Sequence, residues 1–101
     1  MSSKLDIEEL FLRKKPVRLL LNIKLGGVKY VSVLAKETDC TYSHTVKLLD
    51  LFRNYGLCTF EKQGRIKYVK LTPEGTELAG DFESVLRKIQ KKLGVMLMIL
   101  Y

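Results

Sequence analysis

The stretch that most constrains this chain runs from Thr41 to Gly75, where a helix, two strands and a new helix start follow one another without slack. Thr41 is a good N-cap, because its hydroxyl can accept from the free N–H groups of a first helical turn. From Tyr42 to Tyr55, Thr45, Leu48, Leu49 and Phe52 recur at helical spacing and predict one inward stripe. Gly56 suits the position just past that helix, where left-handed backbone is common. Leu57–Glu61 and Arg65–Leu71 read as two strands around the short turn Lys62-Gln63-Gly64, a β-hairpin pattern. Thr72-Pro73-Glu74 then supplies an N-cap, a first-turn proline and an acid at the positive end of a further helix.

The residues before this stretch read as helical. Leu5, Ile7, Leu10 and Phe11 suggest a short first helix. Pro16 to about Lys24 suggests a second, burying some of Val17, Leu19, Leu20, Leu21 and Ile23 and ended by Gly26-Gly27. Tyr30–Val33 is β-branched enough for a short strand, and Ser32–Glu37 reads as a short helix with Leu34 and Ala35 inward. Thr38-Asp39-Cys40-Thr41 is a turn. Two helices across a tight turn, followed at once by a hairpin, make a winged helix-turn-helix. The expected fold class is therefore α+β, mainly α, with a two-stranded wing and a long C-terminal dimerisation helix. Residues 1–72 form the DNA-binding part and residues 73–101 the dimerisation helix and apolar tail, in one compact domain.

In such a fold the second helix of the pair enters the major groove, and its outward N-terminal residues meet base edges. Here those are Tyr42, Ser43, His44 and Lys47, with Arg53 and Asn54 further along. Thr41 and Ser32 are placed to donate to phosphate oxygens. At the hairpin tip, Gly64 permits a positive φ and Arg65 is suited to a minor groove, where negative potential is strongest. Lys62 and Lys67 are expected at phosphates. The competing reading of the hairpin is a solvated one whose charges block edge pairing. The net charge is +7. Residues 17–72 hold ten cations and four acids, whereas residues 73–101 hold four of each. An excess concentrated there favours a polyanion.

The segment "VSVLAKETDCTYSHTVKLLDLFRNYGL", followed by "GRIKYVKLTPEG", resembles the winged-helix domain of MarR-like regulators, in a small archaeal form. The resemblance spans about residues 16–93. It rests on Leu34-Ala35, the Tyr55-Gly56-Leu57 break and the Leu71-to-Gly75 exit. Asp39 departs from it, standing where the pattern usually has glycine, although aspartate tolerates left-handed geometry better than most residues. The resemblance implies binding of double-stranded DNA as a homodimer and regulation of transcription. The expected location is the cytoplasm, associated with DNA. A chromatin-like protein with little sequence preference is the nearest variant. A winged-helix protein-interaction module is the alternative from another class.

The last helix is expected to run to about Leu93, near 30 Å long at about 1.5 Å per residue. Leu78, Phe82, Val85 and Ile89, widened by Leu86 and Leu93, form a stripe that needs a second surface. Its acids, Glu74, Glu77, Asp81 and Glu83, precede its cations, Arg87, Lys88, Lys91 and Lys92. Two copies running antiparallel would pair opposite charges, and a parallel pair would oppose like ones. A helix folded back on its own domain is the other reading. "VMLMILY", residues 95–101, is too short to span a membrane. It is expected to pack on the partner subunit or on the first helix.

Nothing points to catalysis. Cys40 and His44 are spaced i, i+4 with no further ligand nearby, and a zinc site needs about four. The two cysteines are expected to fill small apolar core positions. No glycine-rich phosphate loop is present, so no cofactor and no metal is expected. The start MSSKLDIEE lacks a signal-peptide apolar run, which points to an intracellular protein with no membrane partner.

Overall fold

The computed structural model describes residues 8–26 and 29–100, with side chains as far as Leu93. Residues 8–11 form a helical turn; Leu5 and Ile7 lie outside the described residues. Then follow α1 (Lys14–Gly26), β1 (Lys29–Tyr30), α2 (Val31–Thr38), α3 (Tyr42–Asn54), β2 (Cys58–Gln63), β3 (Ile66–Leu71) and α4 (Pro73–Leu100). The chain is mainly helical, with a small antiparallel sheet of strand order β1-β3-β2.

Both helices of the central pair end in the same way. The Cys40 N–H donates to the Ala35 carbonyl and the Asp39 N–H to that of Lys36. After α3, the Leu57 N–H donates to Phe52 and the Gly56 N–H to Arg53. Each is a Schellman closure around one left-handed residue, Asp39 at φ 56° and Gly56 at φ 75°. Asp39 therefore occupies the glycine slot in the geometry that slot demands. At the other end of α3, the Thr41 hydroxyl accepts from the His44 N–H at 3.2 Å, the expected cap.

The core collects one face from each helix and from β2 and β3. Leu19, Leu20 and Ile23 of α1 meet Val31 and Leu34 of α2, Leu48, Leu49 and Phe52 of α3, and Val69 of β3. Burying such side chains supplies about 1.5–3 kcal/mol each before entropy is subtracted. Phe11 stacks between Phe52, with centroids 6.0 Å apart, and Phe82, at 5.9 Å. It thus ties the N-terminal turn to both α3 and α4. Lys24 of α1 pairs with Glu83 of α4 across the same seam. Within α1, Leu21 and Val17 are only half-buried.

Several boundaries differ from the sequence expectation. The strand expected over Tyr30–Val33 stops at Tyr30, and Val31 already begins α2. Those two strand residues pair with β3, Lys29 opposite Val69 and Tyr30 opposite Tyr68, so the wing's two strands gain a third. The hairpin turn is shorter than Lys62–Gly64. Gln63 pairs with Ile66, which leaves only Gly64 and Arg65 as the loop. Gly64 has φ 62° and Arg65 does not have positive φ, the arrangement of a Gly-X type II′ turn, whose twist matches that of the flanking strands. Finally, α4 continues through Gly94 to Leu100, because a glycine inside a helix costs only about 1 kcal/mol. The side chains of residues 94–101 lie outside the description, and with them the expected packing of the tail.

α4 starts where expected and is held tightly. The Thr72 hydroxyl accepts from the Gly75 N–H at 3.0 Å and donates to the Gly56 carbonyl at 2.6 Å. The Thr72 N–H donates to the Leu57 carbonyl at 3.0 Å. One threonine thus joins the end of the helix-turn-helix to the start of α4.

Candidate nucleic-acid interface

The first turn of α3 projects from the body of the fold because its inward stripe begins only at Thr45, which is fully buried and donates its hydroxyl to the Thr41 carbonyl at 2.8 Å. Thr41, Tyr42, Ser43, His44 and Lys47 are all exposed, as is Ser32 in the first turn of α2. At the wing, Lys62, Gln63, Gly64, Arg65 and Ile66 are exposed. The three groups converge. Tyr30, Val31, Ser32, Tyr42, Arg65, Ile66 and Lys67 line one open cleft of about 240 Å³. Among the residues expected at DNA, this cleft brings together Ser32, Tyr42, Arg65 and Lys67. Thr41, Ser43, His44 and Lys47 continue along α3, and Lys62 lies one strand away.

The cations on this face form no ion pair with any described residue. The ion pairs among the described residues are Lys24–Glu83, Lys29–Glu37 at 2.6 Å and Arg53–Asp50 at 3.8 Å. None of them engages Lys47, Lys62, Arg65 or Lys67. Lys67 has a different neighbour. Its Nζ lies 4.3 Å from the centroid of the Phe60 ring, and the Arg53 guanidinium stands 5.1 Å from the same ring. Sequence reasoning had no signal for this cluster, since it joins α3 to two strands through side chains on one sheet face.

On the opposite sheet face Tyr30 and Tyr68 meet, with ring centroids 4.9 Å apart. The Tyr68 hydroxyl is held above its ordinary pKa, first by the neighbouring Tyr30 side chain and then by partial desolvation. Tyr30 was not singled out in the sequence. Its place beside Tyr42 and Arg65 depends on the two-residue strand β1, which has too few positions to show a period. A second, larger groove of about 590 Å³ lies beyond α3, between Leu48, Leu51, Tyr55 and the chain from Glu9 to Pro16, with His44 at its edge.

Cys58 is buried, with its thiol 3.6 Å from the Leu49 carbonyl, and burial pushes its pKa up to about 11. Cys40 is half-buried, not the core residue expected. No group of three or more potential metal ligands occurs among the described residues. No helix there is long and apolar enough to cross a membrane. On α4, Leu78 and Phe82 pack against the core of their own chain, while Val85, Leu86, Ile89 and Leu93 are 39–58% exposed.

Comparison by sequence finds no matching family model and no matching curated protein. Comparison of folds finds many similar structures. AF1382 from Archaeoglobus fulgidus aligns over 81% of this chain and 94% of its own, at 21% identity and a TM-score of 0.74. The MarR family transcriptional regulator SPO1453 from Silicibacter pomeroyi aligns over 94% of this chain and 79% of its own, at 23% identity and a TM-score of 0.74. MepR, a transcription regulator of the Staphylococcus aureus multidrug efflux pump MepA, aligns over 91% and 70%, at 18% identity and a TM-score of 0.77. The architecture is thus the winged helix-turn-helix of MarR-family regulators.

Proposed function

We propose that this chain binds double-stranded DNA as a homodimer and regulates transcription. The observation that carries the reading is the convergence of exposed α2, α3 and wing residues on one face, with Lys47, Lys62 and Arg65 unpaired there. In this reading Tyr42, Ser43, His44 and Lys47 address base edges in the major groove. Thr41, Ser32 and Lys62 hold phosphates, and Arg65 enters the minor groove. Residues 1–72 are the DNA-binding part and residues 73–101 the dimerisation part. The exposed stripe Val85, Leu86, Ile89 and Leu93 meets its copy antiparallel, so that the acidic half of one helix faces the basic half of the other. Leu78 and Phe82 stabilise the interface from beneath by fixing α4 on the core. Two recognition helices then address half-sites roughly 34 Å apart. The chain works in the cytoplasm, on DNA, without catalysis of its own.

The test is duplex binding at low salt, measured by fluorescence anisotropy for the wild type and for the double substitution Lys47→Ala, Arg65→Ala. Weaker binding with a flatter salt dependence is expected for the variant. Equal binding by both, or none by the wild type, sinks the DNA reading and leaves the protein-interaction module. The ratio of specific to non-specific affinity separates a sequence-specific regulator from a chromatin-like protein.

A further inference from the structure

The cleft between α2, α3 and the wing has a composition that duplex recognition does not require. Phosphate contacts need cations and hydroxyls, and base-edge contacts need hydrogen-bonding groups or a methyl-sized apolar contact. Here large apolar and aromatic surface is left in water instead. Tyr42 is 57% exposed, Ile66 45% and Tyr30 40%, and all three line the same cleft. Arg65 and Ser32 stand on its walls. Its volume of about 240 Å³ lies below the roughly 300–1,000 Å³ of pockets that enclose drug-sized ligands, so it fits one flat ring better than an extended molecule. The cross-strand contact of Tyr30 with Tyr68 accounts for Tyr68 and for part of Tyr30. It does not account for Tyr42, on α3, or for Ile66, at the start of β3.

Tyrosine rings beside an unpaired guanidinium are the means by which proteins hold single-stranded nucleic acid. Bases stack on the rings while the cation tracks the backbone, and this tolerates any sequence because every base has a π-face. We propose that the cleft of Tyr30, Tyr42, Ile66 and Arg65 accepts one unstacked nucleobase, so that the protein binds single-stranded DNA through the same face that meets a duplex. This rests on the DNA reading above and extends it to an unpaired strand, such as one opened beside a bound half-site.

The chain contains no tryptophan, and two of its five tyrosines, Tyr30 and Tyr42, line the cleft, so part of the tyrosine emission responds to its occupation. The full-length protein is titrated with a single-stranded oligothymidine, an abasic strand of equal length and a fully paired duplex. Oligothymidine is expected to quench tyrosine emission and to bind about tenfold more tightly than the abasic strand, within the range for one base–aromatic stack. Tyr30→Leu is expected to weaken oligothymidine binding by about tenfold and duplex binding by less than twofold. Tyr42→Leu, at an exposed position where folding is insensitive, is expected to lower the ratio of single-strand to duplex affinity. Duplex binding without single-strand binding overturns the cleft proposal and leaves the duplex reading intact. Equal affinity for oligothymidine and the abasic strand, or equal losses on both DNA forms in both variants, overturns it too. Absence of binding to every probe overturns both readings.

Discussion

At Gly75 a β-carbon would stand 1.9 Å from the Leu57 carbonyl oxygen, an atom fixed by its bond from the Thr72 N–H. A flexible side chain could move aside, but this backbone cannot without opening the joint between the helix-turn-helix and α4. Gly75→Ala is therefore expected to destabilise by about 3 kcal/mol, at the upper end of overpacking effects. Thermal unfolding followed by circular dichroism should show a Tm lower by roughly 10 °C or more. Asp39 presents the opposite case. A non-glycine residue in left-handed backbone costs about 1–2 kcal/mol, against about 0.5–1 kcal/mol for the extra freedom of glycine when unfolded. Asp39→Gly should then stabilise by about 0.5–1 kcal/mol, and Asp39→Val should destabilise by more than that, as read from denaturant midpoints. Cys58 gives a pH dependence. Its unfolded thiol ionises near 9.0, and its buried thiol only near about 11. The contribution of the protonated thiol is complete below pH 9 and is lost as pH rises towards 11. The urea midpoint of the wild type should fall across that window more steeply than that of Cys58→Ala. At pH 8 a thiol reagent should label half-buried Cys40 in the folded protein and reach Cys58 only after unfolding.

Among the elements, α4 divides into two functional lengths. Its first half is anchored by Leu78, Phe82 and the Glu83–Lys24 pair, whereas Val85, Ile89 and Leu93 carry apolar surface that no described residue covers. Ile89→Lys with Leu93→Lys should leave the circular dichroism spectrum of the subunit nearly unchanged, because both side chains are more than half exposed in it. In sedimentation the same variant should run as a monomer at concentrations where the wild type is a dimer. A wild type that is itself a stable monomer at micromolar concentration would refute the interface. This division was only half legible in the sequence. Periodicity marked the stripe on α4 but not which of its residues the chain would use internally, since that depends on Phe11 arriving between Phe52 and Phe82. The helix-turn-helix was legible almost residue by residue, because Thr41, Asp39, Gly56 and Thr72 act on their nearest neighbours in the chain. The wing was legible as a hairpin, but its turn and its third strand were not. Register is set by cross-strand pairing such as Tyr30 with Tyr68, and two residues of β1 carry no period of their own. The aromatic side of the candidate site went unseen for the same reason.

Across the whole molecule, the net charge of +7 matters through where it can act. Residues 73–101 are neutral in sum, so a dimer built on α4 would add no repulsion there and would leave the excess on the two winged-helix bodies. Each cation that neutralises a phosphate contributes about −0.9 to the slope of log K against log salt. Lys62 at a phosphate and Lys47 and Arg65 in the grooves each displace counterions, and none has an ion-pair partner among the described residues, which gives three cations per subunit, six per dimer and a slope of about −5. A monomer using the same three would give about −3, and a dimer that also engaged Lys67 about −7. The structure favours the middle value because Lys67 rests on the Phe60 ring. That contact is worth only about 0.5–1 kcal/mol at an exposed site, so it can be removed without harming the fold. Phe60→Leu keeps an apolar residue in the half-buried position and deletes the ring's negative face. It should steepen the slope from about −5 towards −7 as Lys67 turns to phosphate. The salt series thus reads three things from one plot: the number of subunits on the duplex, the cations each commits, and the hold that one aromatic ring keeps on a lysine. A slope near −5 in both proteins would mean that Lys67 cannot reach the backbone at all. A slope near −3 in both would mean that one subunit binds alone.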